Sequence, residues 1–378
     1  MDALPVPSIS FFGYILPFLG VLTVVVFFHE LGHFMVARWN KVKVDAFSVG
    51  FGPELLGFND RQGTRWKLCA IPLGGYVKFY GDADGASTPD FERAAEMTEE
   101  EREGSFLHKR VGQRAAVVAA GPIANFILAI VIFSLSFVFI GRFVSDPIVS
   151  DVVENSAAQA AGFQKGDLVL EIDGKPIEAF SDIARIVAPN PERELLVTIK
   201  RNGATQQLAV VPARQEREDR FGNKNDVGII GIMNSPSQTD GRVVKSGPVE
   251  AVGQAVGETW FIISSTIYYV KDIIIGHQSA DQLGGPIRIA KVSGEVATLG
   301  WGALINLAAI LSVSIGLLNL FPIPMLDGGH LVFYALEAVR GKPVGERAQE
   351  IGFRIGMTMV LMLMVFATWN DITKIFFS

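Results

Sequence analysis

The chain has 378 residues, 49% of them hydrophobic and 19% charged, with a mean hydropathy of +0.34. That is too apolar for an ordinary soluble protein of this length, and a formal charge of −6 argues against a general nucleic-acid binder. A single cysteine, Cys69, excludes an intrachain disulfide framework and a cysteine-rich zinc site, and reads as a small buried apolar residue.

No Lys or Arg precedes the first apolar run, which is too long for a signal peptide and lacks a small-residue cleavage site, so no leader is expected to be removed. That run, Phe11 to Ala37, is long enough to cross a bilayer. It contains His29-Glu30-Leu31-Gly32-His33. Histidines four apart share one helix face. They can bind one Zn²⁺ while Glu30 handles the proton of a water. The alternative is an amphipathic helix with incidental histidines. Three ionisable groups within a span are costly, which favours a functional reading.

Residues 42–80 read as a β-hairpin. Val42, Val44, Phe47 and Val49 lead into Gly50-Phe51-Gly52-Pro53, then a polar turn around Asp60, then a run from Trp66 to Tyr80 with Pro72 and Gly74-Gly75. Gly74 and Gly75 suit a bent or edge strand that could receive an extended peptide; a plain hairpin is the other reading. Residues 82–104 are acidic and polar and read as a solvated loop without chemistry.

The second span, Val117 to Ile140, opens with Gly121-Pro122-Ile123-Ala124-Asn125. Small residues there let helix backbones approach closely. Asn125 either bonds a neighbouring helix or supports the metal site. From residue 142 to 235 the chain becomes α+β in character. A helix is expected over Ser181 to Val187, and a hairpin turns at Asn202-Gly203. This stretch resembles a PDZ domain, and Gly228-Ile229-Ile230-Gly231-Ile232 resembles the loop and strand that receive a peptide's C-terminus in that family. Such modules bind peptides or only screen substrates by size. Residues 246–276, rich in Trp260, Tyr268 and other aromatic and apolar groups, suit a helix at the membrane surface.

The third span, Leu304 to Phe321, breaks at Pro322 and Pro324 just before Asp327-Gly328-Gly329-His330. Unwound backbone at membrane depth needs protein or a water-filled cavity around it. A zinc held by two histidines needs a third protein ligand, and Asp327 is the best candidate. It also suits the N-cap of a helix from His330 to Val339, a compatible role. His330 is expected to pack or bond at that helix start. A short fourth span runs from Ile355 to Trp369. Basic residues flank the inner ends of the spans: Arg38, Lys41 and Lys43 after the first, Lys109, Arg110 and Arg114 before the second, and Arg340, Lys342, Arg347 and Arg354 between the third and fourth. The positive-inside rule then puts 41–112 and 331–350 in the cytoplasm, with both termini and 142–300 outside.

His29-Glu30-Leu31-Gly32-His33, Gly121 to Phe126, the PDZ-like stretch and Asn319 to Gly328, in this order, resemble the site-2 protease family of intramembrane zinc proteases. The regulator-of-sigma-E group is the nearest in pattern, here with room for one PDZ module where enterobacterial members carry two. The resemblance implies a polytopic α-helical membrane protein of four spans, with a membrane-associated β-hairpin and an inserted PDZ domain. Its parts would be 1–141, the first membrane half; 142–235, the PDZ domain; 236–300, an interfacial helix and linker; and 301–378, the second membrane half. By the same resemblance His29, His33 and Asp327 hold Zn²⁺, Glu30 is the general base, Asn319 contacts substrate and the hairpin receives the unwound substrate strand. Substrates would be single-span proteins of the bacterial inner membrane, such as trimmed anti-sigma factors or residual signal peptides. A C-terminal peptide at the PDZ domain and the lipid bilayer would be the other partners, and no nucleic acid is expected. The competing reading is a membrane-anchored PDZ protein with a vestigial metal site, disfavoured because such a site has no need of Glu30.

Overall fold

The computed structural model describes residues 11–82, 93, 96–218, 224–234, 241–275 and 284–377. The sequence readings for residues 1–10, most of the acidic stretch 83–95, residue 235 and the linker at 276–283 lie outside the described residues. The chain divides into two compact units, one formed by residues 1–134, 252–264 and 284–372, the other by 135–251, 265–283 and 373–378.

In the first unit, α1 (Phe11–Trp39), α3 (Val111–Phe139), α8 (Trp301–Asn319) and α10 (Glu346–Phe377) are long and apolar enough to cross a membrane. The fourth span therefore lies in a much longer helix than its apolar centre suggests. Small residues set how closely these helices pack. A Cβ at Gly32 of α1 would lie 2.7 Å from Ala124 Cβ, and one at Gly316 of α8 would lie 3.1 Å from Pro122 O of α3. Pro122 sits within α3 without ending it, and buried Ser312 on α8 donates to Asn125 O at 2.8 Å. That hydroxyl ties α8 to α3 three residues beyond the proline.

After α1 come β1 (Val44–Asn59) and β2 (Arg65–Phe79). They form more than a simple hairpin. Ala46, Phe47, Ser48 and Val49 pair on one side with 75–78 and on the other with 65–68, while 54–59 also pairs with 65–69. Each strand is bent once, giving four antiparallel segments in the order 54–59, 65–69, 44–49, 75–79. The bends fall at glycines in left-handed conformation, Gly50 (φ 89°), Gly52 (φ 85°) and Gly74 (φ 128°). The inner half packs on α1 through Phe34, Phe47 and Trp66, the last two stacked at 4.3 Å. The outer half exposes Leu55, Leu56, Phe58, Ile71 and Leu73.

The end of the acidic stretch is ordered, contrary to the solvated loop expected. A short helix α2 (Glu99–Gly104) is closed by a capping box between Thr98 and Glu101. Tyr80 Oη donates to Glu101 at 3.0 Å, and Met97, Ser105 and Phe106 are buried. Further on, α6 (Pro248–Ile275) and α7 (Pro286–Thr298) precede α8, and α9 (Asp327–Arg340) precedes α10.

The second unit is α+β. After β3 (Arg142–Ser145) and β4 (Asp151–Val152), its four-stranded antiparallel sheet has the order β6-β5-β7-β8, with β5 Leu168–Ile172, β6 Lys175–Pro176, β7 Leu195–Arg201 and β8 Ala204–Val210. The β7–β8 turn is Asn202-Gly203, both residues at positive φ, as the sequence predicted. Helices α4 (Ala157–Ala160) and α5 (Phe180–Val187) cover a core that includes Val149, Ile172, Leu195, Val197 and Ile199. Of the five residues expected at a peptide site, Ile229 pairs with Ala213 and Ile232 with Val152. Gly228 N–H donates to Ala188 O. The Ile230 carbonyl accepts from Ala158 N–H and the Gly231 carbonyl from Val153 N–H. Ile230 itself is in the core.

Candidate active site

The site begins on α1. His29 and His33, one turn apart, are both buried, and their Nε2 atoms lie 3.2 Å from each other. The helix break after α8 brings Asp327 to them. Its carboxylate lies 3.2 Å from His29 Nε2 and 3.6 Å from His33 Nε2. One ligand atom from each of the three residues falls within 4.8 Å of the other two. Asp327 Oδ2 is buried and close to His29, yet it has no aligned hydrogen bond. Two imidazole nitrogens and a carboxylate oxygen that converge without satisfying one another suit a cation, and the donor types are those of zinc.

The sequence reading of Asp327 as an N-cap is corrected. Leu326 is the N-cap, without a side-chain cap bond, and α9 starts at Asp327 itself. The helix therefore begins three residues earlier than expected, and Asp327 occupies its first turn, where a negative charge is favoured. Close packing fixes that turn: a Cβ at Gly329 would lie 2.6 Å from Pro324 Cα.

The far sides of both rings are held by α3. His33 Nδ1 donates to Val117 O at 2.9 Å, so its Nε2 lone pair faces Asp327 and His29. His29 Nδ1 lies 3.2 Å from the Asn125 amide, whose Oδ1 is buried without a partner. With the amide turned so that Oδ1 accepts from Nδ1–H, His29 presents the same tautomer as His33. Both places read for Asn125 are occupied: its side chain lies against His29, and its backbone carbonyl bonds α8. Gly121 lies between these contacts, and a Cβ there would come within 2.9 Å of His29 Cε1 and against the His33 ring.

Glu30 lines the same cavity of about 590 Å³, as do Asn319 and Gly75. Val77 lines the cavity beside Glu30. A Cβ at Gly75 would sit 3.2 Å from Glu30 Cγ and 2.7 Å from Ser48 O, so only glycine lets β2 come this near. Gly74 sits at the bend, where a Cβ would meet the Phe51 ring at 2.6 Å. His330 lines the cavity as well, with its ring against Phe353 at 5.1 Å, which agrees with the packing role expected of it.

Residues 17–363 match the model of Peptidase family M50. The chain belongs to peptidase family M50.

A Rhizobium meliloti protein provisionally named as a zinc metalloprotease is 55% identical over 359 residues, 95% of this chain and 96% of that one. An Agrobacterium fabrum protein with the same provisional name is 54% identical over 363 residues, 96% of each chain. Metalloprotease MmpA of Caulobacter vibrioides is 39% identical over 388 aligned positions, 97% of each. As an M50 peptidase with four apolar spanning helices, the protein is a zinc metalloendopeptidase and a multi-pass membrane protein, which implies proteolysis within the membrane.

The site also has neighbours that sequence reasoning missed. Val117 O, which bonds His33, is a backbone atom, to which residue identity gives no clue. Arg114, Tyr334 and Glu337 line the cavity too, and only their helical spacing from Val117 and Asp327 could have pointed to them.

Proposed function

We propose that this protein cuts single-span membrane proteins within or near their transmembrane segment, as a step of regulated intramembrane proteolysis in a bacterial inner membrane. Trimmed anti-sigma factors and residual signal peptides are the substrate classes. The observation that carries this reading is the convergence of His29, His33 and Asp327 beside Glu30, in a cavity one wall of which is the edge of a β-sheet. His29, His33 and Asp327 would hold the zinc. Bound zinc supplies a positive charge that acidifies water and polarises a carbonyl. Glu30 accepts the proton of the attacking water and returns it to the leaving nitrogen.

A helical substrate hides its carbonyls in internal hydrogen bonds, so it must unwind to be cut. The segment 75–79 is the receptive edge. Tyr80 N–H donates inward to Lys43 O, so by alternation Tyr76 and Lys78 also bond inward while Gly75, Val77 and Phe79 turn outward. An unwound strand would pair with Gly75 and Val77, next to Asn319. The α+β unit would lie on the outer side of the membrane. With most of the polar backbone at 228–232 engaged within the unit, screening by size is its main role and peptide capture a lesser one.

The test is trapping. Glu30→Gln should abolish cleavage of a single-span reporter while leaving zinc content at the wild-type level and allowing uncut substrate to be crosslinked in the cavity. Cleavage near the wild-type rate would remove Glu30 from the chemistry. His29→Ala and Asp327→Asn should each lower zinc content.

A further inference from the structure

The reading of Asp327 as the third ligand raises the question of what holds Asp327 in register with the two histidines. The first turn of α9 is packed on the irregular segment just before it, where Met325 sits at φ 89°. That packing ties α9 to its own connection, not to the helices that carry or brace the histidines. Leu331 and Tyr334 of α9 pack against the buried cluster that includes Phe34 of α1 and Val117 of α3, and the polar tie to α3 lies further along. Arg114 Nη2 bonds Glu337 Oε1 at 2.5 Å, with both side chains largely buried, at 12% and 17% exposure. The Arg114 guanidinium also stands over the Tyr334 ring at 4.8 Å, and its Nε donates to Lys109 O at 3.1 Å. The guanidinium is thus fixed on its own side and grips two successive turns of α9.

Arg114 belongs to a stripe. On α3 the positions 114, 117, 121 and 125 recur at three- and four-residue spacing, which places them on one helix face. Val117 orients His33, Gly121 makes room for both rings, and Asn125 orients His29. Three members of the stripe serve the two histidine ligands directly. Arg114 serves none of them directly. It holds the helix whose first residue is the third ligand.

We propose that the Arg114–Glu337 pair is the positioning device for Asp327: α3 acts as a single template that sets all three ligands, two by direct contact and the third through α9. A helix is stiff along its axis, so fixing Glu337 fixes Asp327, ten residues earlier on the same rod. Arg114 and Glu337 are positioning residues and touch neither substrate nor zinc.

This inference rests on Asp327 being a ligand, and the experiment separates the two claims. Zinc affinity is measured on full-length protein in detergent by competition with a chromophoric chelator, for wild type, Asp327→Asn, Glu337→Gln, Arg114→Gln and the exchange pair Arg114→Glu with Glu337→Arg. Glu337→Gln and Arg114→Gln should each weaken zinc binding by about 10-fold, the range of groups that orient metal ligands. The exchange pair should recover most of that loss, which a merely destabilised fold would not do. Arg114→Lys, which keeps the charge but not the planar fork, should fall between. If Asp327→Asn weakens zinc binding while Glu337→Gln and Arg114→Gln leave it unchanged, the positioning role is wrong and the ligand assignment stands. If Asp327→Asn itself leaves affinity unchanged, the ligand assignment fails first. If the single variants lose affinity, the exchange pair does not recover it and Arg114→Lys is no better than Arg114→Gln, the pair is only structural and the proposal is overturned.

Discussion

A methyl group at Gly121 would press on both histidine rings, 2.9 Å from His29 Cε1 and against His33. Neither ring can retreat, because each is tied on its far side, to Val117 O and to Asn125. Gly121→Ala should therefore lower zinc affinity by about 10-fold or more while the protein still reaches the membrane; unchanged zinc content would mean that α3 yields at this point. Asp60 gives a second prediction at this scale, through pH. Burial raises its pKa, but hydrogen bonds from the Trp66 indole, Gln62 N–H, Arg38 and Thr64 N–H outweigh that and hold it at about 2. A carboxyl depressed in the folded state contributes stability that is full above its unfolded pKa of about 3.9 and is lost as pH falls through the folded value. The indole fluorescence of Trp66, isolated by difference against Trp66→Phe, should hold steady from neutral pH to about 4 and change only towards 2. In Arg38→Gln the change should begin at higher pH. An unshifted transition in that variant would show that Arg38 does not hold the carboxylate.

At the scale of elements, what the sequence reveals and what it hides divide along the chain's own periodicities. The spanning helices were readable because each apolar run is long, and His29, Glu30, His33 and Asp327 because their residue types at that spacing and beside that helix break have few other uses. The fold-back of β1 and β2 was not readable: alternation marks strands, but nothing in Val44 to Val49 reveals that those residues pair on both sides. The helix read at 246–276 is α6, but α7, where only a linker was read, was not legible. The N-terminus of α7 is held from far away in sequence. Its N-cap, Gly285, has no side chain to offer, and the carboxylate of Asp371 on α10 accepts instead from Gly285 N–H and Arg288 N–H, both at 2.9 Å. Asp371→Ala should cost about 0.5–2 kcal/mol, as loss of a cap does. It should also speed amide exchange at Gly285 and at 287–289 with little effect elsewhere. Exchange there as slow as in wild type would mean that packing on α1, so close that a Cβ at Gly294 would lie 2.8 Å from Tyr14 Cα, holds α7 without the cap.

For the whole molecule, the charge pattern makes a prediction about sidedness. Arg38, Lys41 and Lys43 follow α1, Lys109 and Arg110 precede α3 with Arg114 in its first turn, and Arg340, Lys342 and Arg347 cluster between α9 and the apolar part of α10. No basic residue precedes Phe11. Short basic segments next to spans stay in the cytoplasm, whereas a long folded insertion such as 142–235 crosses with little regard to its own charges. The four spans then alternate so that the α+β unit faces outward and the turn before α10 faces inward. Cysteine introduced at Ser181 on α5, and separately at Gly345, reads this out in a Cys69→Ala background, since both sites are exposed and Cys69 is the chain's only native thiol. In intact spheroplasts a membrane-impermeant thiol reagent should label the Ser181→Cys protein and leave the Gly345→Cys protein unlabelled until the membrane is permeabilised. Labelling of Gly345→Cys alone in intact cells would invert the orientation. The basic segments would then lie outside, and the α+β unit could not screen the external part of a substrate.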